Sequence, residues 1–284
     1  MFFKINKFSK KIYSQFGEDG IIDYIIKTSS IPICKTLIDI GAYDGKKNSN
    51  TYNLIKNSSF RGLLVDCNKV NFNKLKKLYS ENEKVDCIEM EVEPVGNKSI
   101  DALIRSKFDP KSEIGYLSID IQSSDYYLFK NLQSKPQIIS IEFNPSIPPY
   151  IDYFDPPGEV YLKCSAKSIE RLAIQKGYKL ICCSPNNAFL IRNDCFNSKY
   201  HPNAPVEFLF DYEGLLKVNN GLYTIIHSNP YTTYPICTKP LNIVDSLYFK
   251  LTRRLFSFFK IRKEKYIKPN KKILKKIKKS KLYI

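Results

Sequence analysis

The chain has 284 residues, with 45 Lys and Arg against 28 Asp and Glu and a formal net charge of +17. That length suits one large domain with an appendage and a sizeable core. From 241 to 284 fifteen Lys and Arg face only Asp245 and Glu264, a net +13 that leaves +4 for the first 240 residues. The main domain is therefore nearly balanced, which weighs against a nucleic-acid groove running across it.

Residues 1 to 13 are basic and aromatic, without an apolar stretch of signal-peptide length, and no window reaches a membrane span. A cytoplasmic protein is expected. Ser14 is placed to cap a helix whose apolar face is Ile21, Ile22, Tyr24, Ile25 and Ile26, with Pro32 beyond its end. The stretch TLIDIGAYDGKKNSNT, 36 to 51, then reads as a short buried strand, Asp39, a turn bracketed by Gly41 and Gly45, and a helix entry. The GxGxxG triplet of dinucleotide folds is missing. A carboxylate at a strand tip repels a pyrophosphate. It suits a ligand with a positive charge and hydroxyls, such as S-adenosylmethionine (SAM); a turn that binds nothing reads the same way.

A helix over roughly 49 to 56 leads to a second buried strand, RGLLVDCN, 61 to 68, whose apolar run stops at Asp66, 27 residues after Asp39. A carboxylate there accepts from vicinal ribose hydroxyls, or else caps the next helix, 70 to 79. VDCIEMEV, 85 to 92, alternates apolar and acidic positions and predicts a strand with Glu89 and Glu91 on a solvated face. A helix over 99 to 107, a strand over 114 to 121 ending at Asp120, a helix from Ser124 or Asp125 to Leu132, and a strand over 137 to 143 follow. Five strands alternating with short helices over about 110 residues predict a doubly wound, mostly parallel sheet.

NPSIPPYIDYFDPPG, 144 to 158, holds five prolines among three aromatics and forbids regular structure. It leaves the carboxyl end of a central strand and reads as a substrate-shaping lid, or as a packed surface loop. An amphipathic helix over 165 to 176, capped by Gly177, precedes a strand pair over 180 to 183 and 188 to 192 that would close the sheet with an antiparallel edge. The only histidines, His201 and His227, have no paired Cys or carboxylate spacing, so no metal site is expected. Eight scattered cysteines without a CxxC indicate a reducing compartment. The expected organisation is a domain over 1–240, with its core at about 13–195 and an aromatic-rich extension at 196–240, followed by a basic tail at 241–284. In that tail Leu247, Leu251, Leu255, Phe258 and Phe259 share one helical face opposite Lys250, Arg253 and Lys260. Such a helix lies on an anionic membrane surface, docks on its own domain, or stays solvated.

Six blocks, in order over residues 13 to 195, resemble the FkbM-like family of SAM-dependent methyltransferases. They are SQFGED from Ser14, IDIGAYDG from Ile38 with Ser49-Asn50-Thr51, GLLVD from Gly62, SIDI from Ser118 with Asp125-Tyr126, IEFN from Ile141 and NAFLIR from Asn187. The resemblance implies a seven-stranded Rossmann-like class I methyltransferase fold, SAM as cofactor, and O-methylation of hydroxyls of sugars or other secondary metabolites; a sugar of a surface glycan or its precursor is the acceptor expected here. By likeness, Asp39, Gly41 and Asp44 would hold the methionine end of SAM, Asp66 its ribose, and Gln15 and Glu18 would close the site. Tyr126 and Asn144 would meet the substrate. After Asp120 the family has an acid and a glycine where this chain has Gln122 and Ser123, so Asp120, Asp125 or Glu142 would serve as catalytic base. Gly41→Val is expected to lose SAM without unfolding the protein. The rivals are a non-catalytic SAM-fold protein in a glycan or membrane assembly, prompted by Gln122, and a nucleic-acid methyltransferase, prompted by the charge.

Overall fold

The computed structural model describes residues 3 to 211 other than 123. The tail at 241–284, the extension beyond 211, His227 and Cys237 lie outside the described residues. Seven strands, β1 (Thr36–Ile40), β2 (Arg61–Asp66), β3 (Val85–Glu89), β4 (Tyr116–Ile119), β5 (Ile138–Glu142), β6 (Tyr178–Cys183) and β7 (Asn187–Arg192), form one sheet in the order β3-β2-β1-β4-β5-β7-β6. β1 to β5 run parallel, and β7 lies antiparallel to both neighbours. This is the α/β, mostly parallel seven-stranded sheet with an antiparallel edge expected from the sequence, with one refinement. The antiparallel strand sits one place inside the sheet, and β6 forms the edge.

Strand periodicity explains the two-layered core, because alternate side chains leave opposite faces of a sheet. Ile38, Ile40, Leu63, Val65, Leu117, Ile119, Ile139 and Ile141 share one apolar cluster, covered by α4 (Ile100–Lys107), α5 (Asp125–Asn131) and α6 (Ala166–Gln175). Leu37, Leu64, Tyr116 and Ile138 belong to the opposite cluster, under α1 (Glu18–Thr28), α2 (Tyr52–Ser58) and α3 (Lys69–Leu78). Strands buried on both faces read as nearly continuous apolar runs. A polar residue inside such a run therefore stands out, and Asp39 is one.

Side-chain caps mark three helix starts. Asn68 accepts from the Val70 and Asn71 amides, Ser99 from Ala102 and Ser165 from Ser168. Asn68, not Asp66, caps α3. Gly17, in a left-handed conformation at φ 93, and not Ser14 is the residue that flanks the start of α1 at Glu18. The Ser14 hydroxyl still accepts from the Asp19 amide in the first turn at 3.1 Å, and donates to the Asp19 carboxylate at 2.6 Å. In the proline-rich segment residues 144–149 are buried. The rest turns around Asp155, which accepts from the Tyr161, Leu162 and Lys163 amides and the Tyr153 hydroxyl.

The described part of the extension packs on the domain. Val206 and Leu209 of α7 (Val206–Leu209) join Phe210 in the α6-side core. His201 is buried between Thr28 and Asn197, and burial lowers its pKa to about 4, which makes it a neutral structural residue. Among the described residues no helix is long and apolar enough to cross a membrane.

Candidate active site

The sheet changes winding direction between β1 and β4, and open α/β sheets bind ligands at the carboxyl ends flanking such a point. Asp39, at 5% exposure, lies in register with Ser118 of β4 and accepts from the Thr51 hydroxyl at 2.6 Å. Burial raises its pKa to about 6, against the lowering by hydrogen bonds from Thr51 and Ser118, while Asp66 raises it further. A cationic ligand beside it would restore the ionised form. Asp66 accepts from the Tyr43 amide at 2.8 Å and from Asn68 at 2.9 Å, one bond to each oxygen. Two backbone donors leave a carboxylate room to accept further hydrogen bonds.

Gly41 has φ 90, and a Cβ on it would lie 1.9 Å from the Asp120 carbonyl oxygen. The backbone of the β1 turn and that of the β4 end are in contact here, and only glycine fits. This corrects the expectation for Gly41→Val, whose side chain would strike the backbone and damage the fold as well as the site. Asp44 builds the same turn by accepting from the Lys46 and Lys47 amides at 3.0 and 2.7 Å.

Asp120, Asp125 and Glu142 come together beyond β4 and β5, each offering an oxygen within 4.8 Å of the others. Linear spacing gave no metal-ligand set, and the grouping exists only in three dimensions. A fourth charge stands among them. Lys163, itself buried, bonds Glu142 at 2.5 Å and the Gln122 carbonyl at 2.7 Å. The Gln122 amide in turn donates to Asp120 at 2.8 Å and to Glu142 at 3.1 Å. Burial, then repulsion from Glu142 and Asp125, holds the Asp120 carboxyl well above the usual range. Burial and Glu142 push Asp125 up to about 7. Burial pulls Lys163 down, but Glu142 and Asp125 outweigh it and raise its pKa. Proton uptake in the neutral range thus belongs to the cluster as a whole. Gln122 and Lys163 both have positive φ, 66 and 63. Side-chain-bearing residues seldom adopt that backbone, and such strain gathers at functional sites.

The remaining expected site residues lie around these two groups. Gln15 is exposed, next to Ser14, which forms an isolated bridge with Asn48 of the β1–α2 turn. Glu18 faces inward, accepting from the Phe16 amide at 2.7 Å and the Ser184 hydroxyl at 2.8 Å, so it ties the N-terminal segment to the β6–β7 turn. Tyr126 is buried in the α6-side core, stacked on Phe154 at 4.2 Å, with its hydroxyl accepting from Arg171. Asn144, also buried, donates to the Leu162 carbonyl and accepts from the Ser146 amide, shaping the loop after β5. Thr51, Ser118 and Lys163 received no role from the sequence. Lys163 had one signal there, a lysine within the apolar run VYLKC.

No protein-family model and no curated protein matches the chain. Solved structures resemble it in fold. A crystal structure of monomeric WbdD aligns with 59% of this chain and 38% of its own, at 13% identity and a TM-score of 0.37. A SAM-dependent methyltransferase from Aquifex aeolicus aligns over 66% and 94% at 13% identity and a TM-score of 0.36. The N-terminal domain of EvdMO1 with SAH bound aligns over 61% and 77% at 9% identity and a TM-score of 0.39. The chain thus spans less than half the length of the WbdD chain it aligns with. At these identities the likeness is one of fold, and function is read from the side chains.

Proposed function

We propose that this chain is a SAM-dependent O-methyltransferase acting on a sugar hydroxyl of a surface glycan or its precursor. The observation that carries the reading is the contact of Gly41 with the Asp120 carbonyl, which sets the Asp39–Asp66 group directly beside the acid cluster. The resemblance of the sequence blocks to a family that methylates hydroxyls of sugars or other secondary metabolites supports the choice of acceptor. The basic tail, outside the described residues, would hold the protein at an anionic membrane surface where such precursors are assembled.

The residues present fit SAM by their chemistry. Asp39 is a buried carboxylate that gains from a neighbouring cation, Asp66 has acceptor capacity for vicinal hydroxyls, and the Gly41 turn lets a ligand approach the backbone. When bound, SAM supplies the sulfonium methyl group. The Asp120–Asp125–Glu142 cluster would accept the acceptor hydroxyl's proton, and a carboxyl raised to about 7 at Asp125 suits that task. The methyl would pass from the sulfur of SAM to the acceptor oxygen, leaving S-adenosylhomocysteine. Positioning of the acceptor oxygen in line with the methyl supplies much of the acceleration.

Incubating the full chain with methyl-labelled SAM and a panel of nucleotide sugars and polysaccharides tests this. Labelled methyl ether that disappears with Asp125→Asn is the expected result. A second reading, a SAM-fold protein without turnover, is favoured by Gln122 beside Asp120, and SAM binding without transfer to any acceptor would select it.

A further inference from the structure

The acid cluster has the spacing of a cation site, and the chain has placed a cation of its own in it. The Lys163 ammonium contacts Glu142 and Gln122, while Gln122 bridges Asp120 and Glu142 through its amide hydrogens. Both parts of Gln122 are used. Its carbonyl accepts from Lys163, and its NH2 donates to two carboxylates. A carboxylate at 122 would lack those donors and add a fourth negative charge to the group. Asp155 fixes the turn that delivers Lys163, accepting from its backbone amide at 2.7 Å. Lys163 and Gln122 thus form one device: both have left-handed backbones, they bond each other, and both side chains reach Glu142.

We propose that Lys163 is the resident cation of the Asp120–Asp125–Glu142 cluster, filling the place a divalent metal would take, and that with Gln122 it positions these carboxylates at the acceptor side of the site. This deepens the methyltransferase reading by making Lys163 a positioning residue for a base that works without a metal. Its test uses no methyl transfer, so it stands or falls separately. Removing one unit charge a few ångström from three carboxylates changes cation affinity by on the order of a hundredfold in a partly polar interior.

The test is a Mn2+ titration of the full chain, with free Mn2+ followed by electron paramagnetic resonance and folding checked by circular dichroism. The wild type is expected to hold no Mn2+ that Glu142→Gln removes. Lys163→Met should bind Mn2+ about a hundredfold more tightly, the double variant with Glu142→Gln should lose that gain, and Lys163→Arg should keep the metal out. If Lys163→Met does not fold, Lys163→Gln replaces it. Mn2+ bound by the wild type through Glu142 would overturn the proposal. So would a folded Lys163→Met or Lys163→Gln chain that binds Mn2+ no better than the wild type.

Discussion

On the β1 side of the candidate site, Asp39 and Asp66 are each held by neutral donors, the Thr51 hydroxyl for one and the Tyr43 and Asn68 amides for the other. On the β4–β5 side, Asp120, Asp125 and Glu142 are held by crowding, with the Lys163 ammonium and Gln122 amide between them. The first arrangement leaves two carboxylates with neutral partners, ready for a cation and hydroxyls. The second couples three carboxylates, so that a proton added anywhere is felt by all. On the proposed reading, one half binds the cofactor and the other exchanges a proton.

The two halves meet at Gly41, and forcing them apart should have the largest effect. Gly41→Val drives a side chain into the Asp120 carbonyl, and a loss of about 4 kcal/mol or more is expected in urea denaturation. A well-folded variant would mean that the halves are not in contact. Lys163→Met acts on the crowded half alone. It strands Glu142 beside two further acids, a cost of about 3–5 kcal/mol for breaking a buried pair, read by the same denaturation.

Protonation separates the halves more finely. Folding raises Asp39 to about 6 and Asp125 to about 7, both through burial, above the ordinary aspartate value of about 3.9. A raised carboxylate contributes stability that is full below its unfolded pKa and is lost as pH rises through its folded one. The ligand-free chain should therefore lose up to about 3 kcal/mol through Asp39 and about 4 kcal/mol through Asp125 between about pH 4 and about pH 8. Asp39→Asn should remove its share of that decline between about pH 4 and about pH 6, and Asp125→Asn its share from about pH 4 to about pH 7, in denaturation at successive pH values. SAM affinity should run the other way, rising through about pH 6 as Asp39 ionises. The smallest change is on the binding side, where Asp66→Ala should weaken SAM by about 1–3 kcal/mol.

The same contrast explains what was legible beforehand. Asp39, the Gly41–Gly45 turn and Thr51 lie within sixteen consecutive residues, and Asp66 ends the next strand, so local patterning reaches all of them. The strand–helix alternation was legible for the same reason, since each element shows its own period. Lys163 lies 21 residues beyond Glu142, across the proline-rich loop, and no local pattern joins them. Gly41 could be read as special but not why, because the atom it must clear belongs to Asp120, just past the end of β4 and 79 residues away in sequence. Glu18 belonged visibly to a block with Asp19, yet its inward turn to Ser184 needed the β6–β7 hairpin to be in place.

The central claim is that the β1 half holds SAM. Calorimetric titration of the full chain with SAM and S-adenosylhomocysteine, repeated with Asp39→Asn, tests it most directly. Asparagine keeps the shape and an acceptor for Thr51 while removing the charge. The account predicts binding by the wild type, and a loss of about tenfold or more in a folded Asp39→Asn chain, the order of a missing charge-assisted contact. No binding by the folded wild type, or equal affinity in the variant, would contradict it.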